Sequence, residues 1–563
     1  MAQQQQNIVI RSPASQGINT EDSPVGLDLD FCLSAENAVI ERLGRLGSRK
    51  GFAEYTTNIN VMYTTPIGTA RTDIAVEQIV SGEISGTTYV LCVVSVLHYD
   101  NTNTLIEGHY FICLDDGVNT LNALSYPTLT DPSTLRDAHL VYFNEAVYIF
   151  SSGNPALVFN GTTVSALFTG VADTDYIAPV DDTGTIASQI DGDVALSAYG
   201  RLWVTGVNNN YNVIYYSDLL IATQWYDGRA TPASAQNTGG IIDVSEFWPN
   251  GGDRIVGLAA HNNFLIVFGR NSILFYSNAA SGDPAGADGI FLQDTMNDMG
   301  LLGRDAIANI GSDVLFVDDS GVRSLGRTVQ EKSVPVGDLT RNVRRELRAA
   351  LQETEQSKVA LSYWPSEDIT VCLLPSRNQA YVMDMRALSK TGGSKVTRWN
   401  NCRFNKMEHY QDRTQEFVLL AGSVGQGLLK YEGYTDWTNN PFVFKYQSGL
   451  IDFGNPVVSK FLKQIDYTIF SLFEETTATA RWGHDGNLTK KFPLSIDALL
   501  PSYYGSALFG VSQYGAADNT MKRYKVNASG SGESVRVGLD VQINGNEVSI
   551  QEINIQTLLG RVI

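Results

Sequence analysis

The feature that most constrains this chain is a recurring unit of short strands separated by polar turns. One copy reads HLVYFNEAVYIFSSGNPALVFNG, from His139 to Gly161, and another reads LSAYGRLWVTGVNNNYNVIYYSD, from Leu196 to Asp218. A third runs from Val256 to Asn278 and a fourth from Ala306 to Arg327. Looser copies occupy Val359–Met385 and Glu408–Gly433, and an irregular early one covers Tyr89–Leu124. In the clear copies the central strand sets apolar residues two apart: Val147 and Ile149, Leu202 and Val204, Leu265 and Val267, Leu315 and Val317. That period places each pair on one face of a sheet. The copies recur about every 50–60 residues, near the ~40–50 of a four-stranded propeller blade once inserted loops are allowed. A blade cannot bury its faces alone, so blades pack around a ring. The expected fold is all-β, a β-propeller with inserted loops, a smaller C-terminal β-sandwich-like platform domain and one connecting helix. Unrelated hairpins in two sandwiches are the competing arrangement.

The chain divides into an extended N-terminal segment (1–54), a propeller (55–440) and a C-terminal β platform (441–563). The blade count stands at six or seven, because the first unit is irregular and an N-terminal strand could complete the last sheet. Insertions are expected at Val171–Asp193, Leu219–Asn250 and Ala279–Gly300. Asp338 is placed as the N-cap of a helix reaching about Glu355, with Leu339, Val343, Leu347 and Leu351 repeating every fourth residue. Near the end Val535, Val537, Leu539, Val541 and Ile543 alternate strictly, and Asn544-Gly545 reads as a hairpin turn. The return strand slips phase after Ile550, which predicts a bulge near Glu552.

Charge narrows the function. Forty Lys+Arg against 60 Asp+Glu give −20, the wrong sign for a broad grip on nucleic acid, which needs clustered Lys and Arg. The acids concentrate in two insertions: Asp173, Asp175, Asp181, Asp182, Asp191 and Asp193 in one, Asp283, Asp288, Asp294 and Asp298 in the other, neither with a basic residue. The five cysteines have long spacings and no CxxC pair, so buried free thiols in a reducing compartment are expected. Met1–Asn7 has no basic or apolar signal-peptide region, and no apolar run approaches the ~20 residues of a membrane helix. The reading is of a soluble chain made in a cytoplasm.

No HExxH, GxxxxGK[ST], GxSxG or zinc-like Cys/His cluster is present, and no cofactor is expected. The six histidines are scattered. No pair of carboxylates stands out as glycosidase chemistry requires, and Asp319-Ser320-Gly321 is only a fragment of a sialidase Asp-box. Val171–Asp193 lacks the ordered ligand spacing of a calcium loop. Arg341, Arg344, Arg345 and Arg348 cover the polar faces of the helix.

The stretch SQGINTEDSPVGLDLDFCLSAENAVIERLGRLGSRKGF, Ser15 to Phe52, contains Ala35-Glu36-Asn37 and closes on Gly44-Arg45-Leu46-Gly47-Ser48-Arg49-Lys50-Gly51. It resembles the opening of tail proteins of short-tailed bacteriophages, the nozzle or tail tubular protein B family. Ser448–Ser471 and the last strands to Arg561 resemble that family's platform region. The resemblance implies a structural, non-enzymatic virion subunit, assembled in the host cytoplasm into a tail ring, usually a hexamer. Such a ring meets a tail adaptor and tail fibres or spikes, and conducts and retains double-stranded DNA without binding it specifically. On that basis the ten aspartates above are candidate channel or gate residues, and Arg42, Arg45, Arg49 and Lys50 are candidate docking residues. Arg45 and Arg49 have a local alternative, bracing the turn around Gly47 and Gly51. Two other functions compete: a propeller that binds a host glycan or receptor, and a polysaccharide-degrading tail enzyme.

Overall fold

The computed structural model describes residues 5–41, 44–63, 65–125, 135–167, 190–225, 238–281, 289–326, 338–411, 416–425, 427–437, 439–471, 475–497 and 521–562. Seven sheets stand around an axis. Blade 1 is outsized: Arg71–Ile84, Thr87–Tyr99, Leu105–Asp115 and Thr120–Ala123 form a meander, and Asn58–Asn60 adds in parallel to its outer edge. Six compact blades follow, with first strands His139–Phe143, Val194–Ala198, Ile255–His261, Ile307–Asn309, Ala360–Trp364 and Phe404–Gln411. Each first strand touches the next, and Phe404–Gln411 returns to Arg71–Ile84, so the ring is closed. Every repeat found in the sequence is one blade, and the chain is a β-propeller.

Closure is made by the N-terminal segment. Phe52–Glu54 pairs antiparallel with Leu428–Tyr431 and supplies the outer strand of blade 7. Gly51 just before it is obligatory, since a Cβ there would sit 1.9 Å from the Thr435 carbonyl oxygen.

Two of the three expected insertions are corrected. Leu219–Asn250 contains Ile221–Trp225 and Gly240–Asp243, both paired to the third strand of blade 3. Ala279–Gly300 contains Phe291–Asn297, the fourth strand of blade 4. Outer strands half-face solvent, so their sequences turn polar and lose the apolar alternation that marks a strand.

The C-terminal residues form a sandwich of two sheets. One holds Val458–Ser471, Met521–Asn527 and Val548–Val562 together with Gln5–Arg11, Ala38–Ile40 and Leu46–Ser48. The other holds Phe442–Ser448, Val535–Ile543, Thr476–His484 and Lys490–Ile496. The second sheet runs on through Cys32–Glu36 into blade 6, giving nine continuous strands. Ile465, Ile469, Ile553 and Ile555 share one core with Phe444, Val537, Leu539 and Val541, all buried. At roughly 1.5–3 kcal/mol per buried side chain, that interior holds the two sheets together. Tyr467 spans it, donating its hydroxyl hydrogen to the Gly538 carbonyl at 2.9 Å.

The Asn544-Gly545 turn is not a hairpin. Val535–Ile543 and Val548–Val562 lie in opposite sheets, so the turn crosses the sandwich. Both strands bury one face, and facing each other across the core satisfies both. Gly545 takes φ +83° there, and its N–H donates to the Tyr434 carbonyl at 2.9 Å. The bulge falls where expected: Thr468 pairs with Glu552 and Ile469 with Ile550, leaving Gln551 unopposed.

The helix begins later than its apolar spacing suggests. Asp338 is not the N-cap: it accepts from the Thr340 N–H and hydroxyl at 2.8 and 2.7 Å in the turn before a 3-10 turn over Arg341–Val343, and the α-helix spans Arg344–Glu353. Leu339, Val343, Leu347 and Leu351 are buried as expected. All five cysteines are buried free thiols, and burial raises the pKa of each.

Candidate functional site

Two places gather polar side chains from distant parts of the chain. The first is the mouth of the propeller axis, a funnel of about 540 Å³ lined by all seven blades. Its floor centres on Asp305, just before blade 5. One carboxylate oxygen accepts from Lys406 Nζ of blade 7 at 2.7 Å, and the other accepts from Gln78 Nε2 of blade 1 at 2.7 Å. Neighbouring Arg304 donates to the carbonyls of Asp137 and Asp193 at 2.7 and 2.8 Å. Five blades are thus tied across the axis.

These contacts set the titration of the floor. Burial opposes ionisation of Asp305, but the Lys406 and Arg304 cations outweigh it and hold the carboxyl well below the usual range. Burial, aided by Arg304, pushes His139 down to about 3, so its ring is neutral at pH 7. Its Nδ1 accepts from the Ala195 N–H at 3.1 Å, leaving the proton on Nε2. Glu408 lies two residues beyond Lys406 on the same strand. Burial pushes its carboxyl up to about 7, with Lys406 opposing.

The second place is the seam between propeller and sandwich, built by the Gly-rich run of the N-terminal segment. Arg49 is fully buried. It donates to both oxygens of Asp436 at 2.8 and 2.7 Å and to Asn37 Oδ1 at 3.1 Å, and its guanidinium lies 4.1 Å from the Phe442 ring centroid. Asn37 takes φ +51°. Its side chain also accepts from the Asn400 N–H of blade 6 at 2.9 Å and donates to the Val443 carbonyl of the sandwich at 2.8 Å. Beside it, Glu36 bonds Arg398 at 2.6 Å, Asn400 at 2.9 Å and Lys445 at 3.1 Å.

The expected docking residues are therefore corrected in part. Arg45 is buried, paired with Glu41 at 2.8 Å and stacked 4.7 Å from the Phe470 ring centroid. Arg45 and Arg49 brace the chain internally and offer no docking surface. Lys50 is 42% exposed and pairs with Glu367 at 2.7 Å. Arg42 lies outside the described residues.

The acidic candidates scatter. Asp173, Asp175, Asp181, Asp182, Asp283 and Asp288 lie outside the described residues. Asp191 accepts from the Asn208 N–H at 2.8 Å and steadies a turn of blade 3. Asp193 lines the funnel and accepts from the Tyr211 hydroxyl at 2.9 Å, and burial raises its pKa. Asp294 and Asp298 sit on and just after the outer strand of blade 4, at the propeller rim. Among the described residues no group of three His, Cys, Asp or Glu side chains is arranged to hold a metal ion.

Sequence reasoning missed the funnel floor, because Gln78 and Lys406 lie 227 and 101 residues from Asp305.

No family model matches the chain, and no curated protein matches it. Among solved structures it is similar to the AfRom2 CNH domain, at 11% identity and TM-score 0.23, covering 44% of this chain and 63% of that one. It is similar to Hsv2p of Kluyveromyces lactis, at 12% identity and TM-score 0.27, covering 57% and 99%. It is also similar to an exo-beta-1,3-galactanase of Phanerochaete chrysosporium, at 8% identity and TM-score 0.23, covering 91% and 100%. Scores this low carry no argument about ligand or activity.

Proposed function

We propose that this chain is a propeller scaffold that works by docking rather than by turnover, and more finely a ring-forming nozzle subunit of a short-tailed phage. The observation that carries it is the lacing of both chain ends into one body. Gln5–Arg11 pairs along Val548–Val562, Cys32–Glu36 joins blade 6 to the sandwich, and Phe52–Glu54 closes blade 7. The resemblance implies a platform made from the two ends beside a propeller, and this lacing supports it. The acidic character fits a conduit that repels its cargo at short range, within a Debye length of about 8 Å. With ion pairs crossing the propeller axis, this reading takes the opening between copies, rather than the centre of one propeller, as the DNA route. The adaptor, the fibres or spikes and the tail location belong to the same proposal.

The test is electron microscopy of virions carrying a label on this chain, with native mass measurement of the purified protein alone and with its adaptor. A tail-located ring is expected. A chain that stays monomeric beside the other virion parts and releases reducing sugar from host polysaccharide overturns the proposal.

A second reading, a propeller that binds a host glycan or receptor, is favoured by the funnel itself, where Tyr99, Tyr110 and Tyr211 stand near Glu77 and Asp137. Aromatic faces beside carboxylates suit a sugar. Glycan-array binding that disappears in Tyr211→Ala would favour this reading.

A further inference from the structure

We propose that the open rim of the sandwich docks onto the acidic outer rim of blades 3 and 4 of a second copy of this chain. The inference rests on the ring-forming reading above and names the contact that closes the ring.

Lys490–Ile496 is the last strand of the nine-stranded sheet, and Met521–Asn527 is the last strand of the facing sheet. Asp497 brings the two edges together, pairing with Lys522 while its N–H donates to the Tyr524 hydroxyl at 3.1 Å. Along these two edge strands Phe492 and Met521 are exposed, as are Lys491, Lys522, Arg523 and Lys525, with Arg523 also 3.6 Å from Glu552. Exposed apolar groups on a cationic edge have the make-up of an interface. Pro493 and the lysines obstruct addition of a further strand, so the rim suits side-chain docking rather than sheet extension.

The complementary surface lies on the propeller. Blades 3 and 4 share one core through Tyr216, Leu265 and Tyr276. Their outer strands and the turn beyond them expose Ile241, Phe247 and Phe291. Asp243 and Glu246 are exposed on the same segment as Ile241 and Phe247, and Asp298 is exposed just past the far end of the strand that Phe291 opens. Apolar groups meet apolar groups, and a cationic border meets an anionic one. The charge partition agrees: residues 441–563 hold 11 Lys+Arg and 11 Asp+Glu, so the whole −20 resides in residues 1–440. Because the two surfaces differ, the contact is head-to-tail, the kind that generates rings.

The test is sedimentation velocity of the full-length chain over a range of concentration and salt. Lys522→Glu with Arg523→Glu and Lys525→Glu should weaken self-association at least tenfold, and Asp243→Lys with Glu246→Lys and Asp298→Lys should do the same. Mixing the two variant proteins should restore it, because each then meets its reversed partner. Self-association of the unaltered chain should fall as salt rises. Should a reversal set misfold by circular dichroism, the neutral set Lys522→Gln, Arg523→Gln, Lys525→Gln is read instead as a loss of salt dependence. A chain monomeric at every concentration, reversals without effect, or a mixture that does not associate would each overturn the contact. Labelled virions separate this from the wider reading. A chain present in tails but indifferent to the swap sinks only the contact, whereas a swap that works in a chain absent from tails sinks only the nozzle.

Discussion

The funnel floor and the seam both bury charge, yet they are built for different surroundings. Asp305 faces a cavity of about 540 Å³, and its partners Lys406 and Gln78 come from blades on either side of the ring closure. Arg49 lies in a buried junction, stacked on Phe442, with both terminal nitrogens on Asp436 and its Nε on Asn37. Water near a charge lowers the cost of losing its partner, and a dry site multiplies it. The seam is therefore where the molecule is most easily broken, and the floor is where it can be tuned.

The largest expected effect comes from removing residues 1–54. That deletion strips the outer strand of blade 7 and four strands of the sandwich at once. The remainder should lose its cooperative unfolding transition in calorimetry. A remainder that melts cooperatively near the original temperature would show that the lacing is dispensable.

Next come the paired charges. Arg49→Met leaves Asp436 buried without its partner and should cost about 3–5 kcal/mol. The double variant Arg49→Met with Asp436→Leu should recover much of that. Asp305→Asn keeps a hydrogen bond to Gln78 and leaves Lys406 next to the residue that lines the funnel, so about 1–3 kcal/mol is expected. Chemical denaturation of the three proteins checks the order, and an Asp305 variant costing more than the Arg49 variant would reverse the comparison.

The same contrast explains what the sequence makes legible. Repeated apolar strands announce every blade, because a second strand such as Ala146–Ser151, Arg201–Thr205 or Ile369–Leu374 is buried on both faces and must be largely apolar. The outer strands of blades 3 and 4 face water, so Phe291–Asn297 reads as a loop. Asn544-Gly545 carries the local chemistry of a hairpin, but which strand its neighbours pair with is decided by burial across a sandwich, which no dipeptide records. Arg45 and Arg49 look like a docking patch because basic residues in a Gly-rich run usually meet solvent. Their partners, Phe470 and Asp436, lie hundreds of residues away.

Acidity gives a smaller and reversible handle on the floor. Glu408 titrates near 7 in the folded protein against an ordinary value of 4.5. Its folded form holds the proton more tightly than the unfolded chain, so stability should fall as pH rises from about 4.5 to 7 and level off above. Each unit of such a shift is worth ~1.4 kcal/mol at most. Glu408→Gln should flatten that fall in denaturation curves recorded between pH 5 and 8. Curves that keep their slope in the variant would assign the effect to another group, with Glu41 next in line because burial also pushes it to about 7, with Arg45 opposing.

The smallest effect belongs to Lys50, the described member of the basic cluster that meets solvent. Its pair with Glu367 is partly exposed and screened, and such pairs contribute ~0.2–1 kcal/mol. Lys50→Ala should therefore leave the unfolding midpoint nearly where it was, in contrast to Arg49→Met one position earlier. That adjacency makes the two variants a matched pair: same segment, same charge removed, one side chain in the seam and the other above it. If Lys50→Ala lowers stability as much as Arg49→Met, the seam extends outward to Glu367, and among the described residues of the basic cluster none is left as a free cation to offer a partner. If stability holds while binding to the adaptor weakens, Lys50 is a docking residue, and the seam beneath it serves to hold that one amine at a fixed place on the surface.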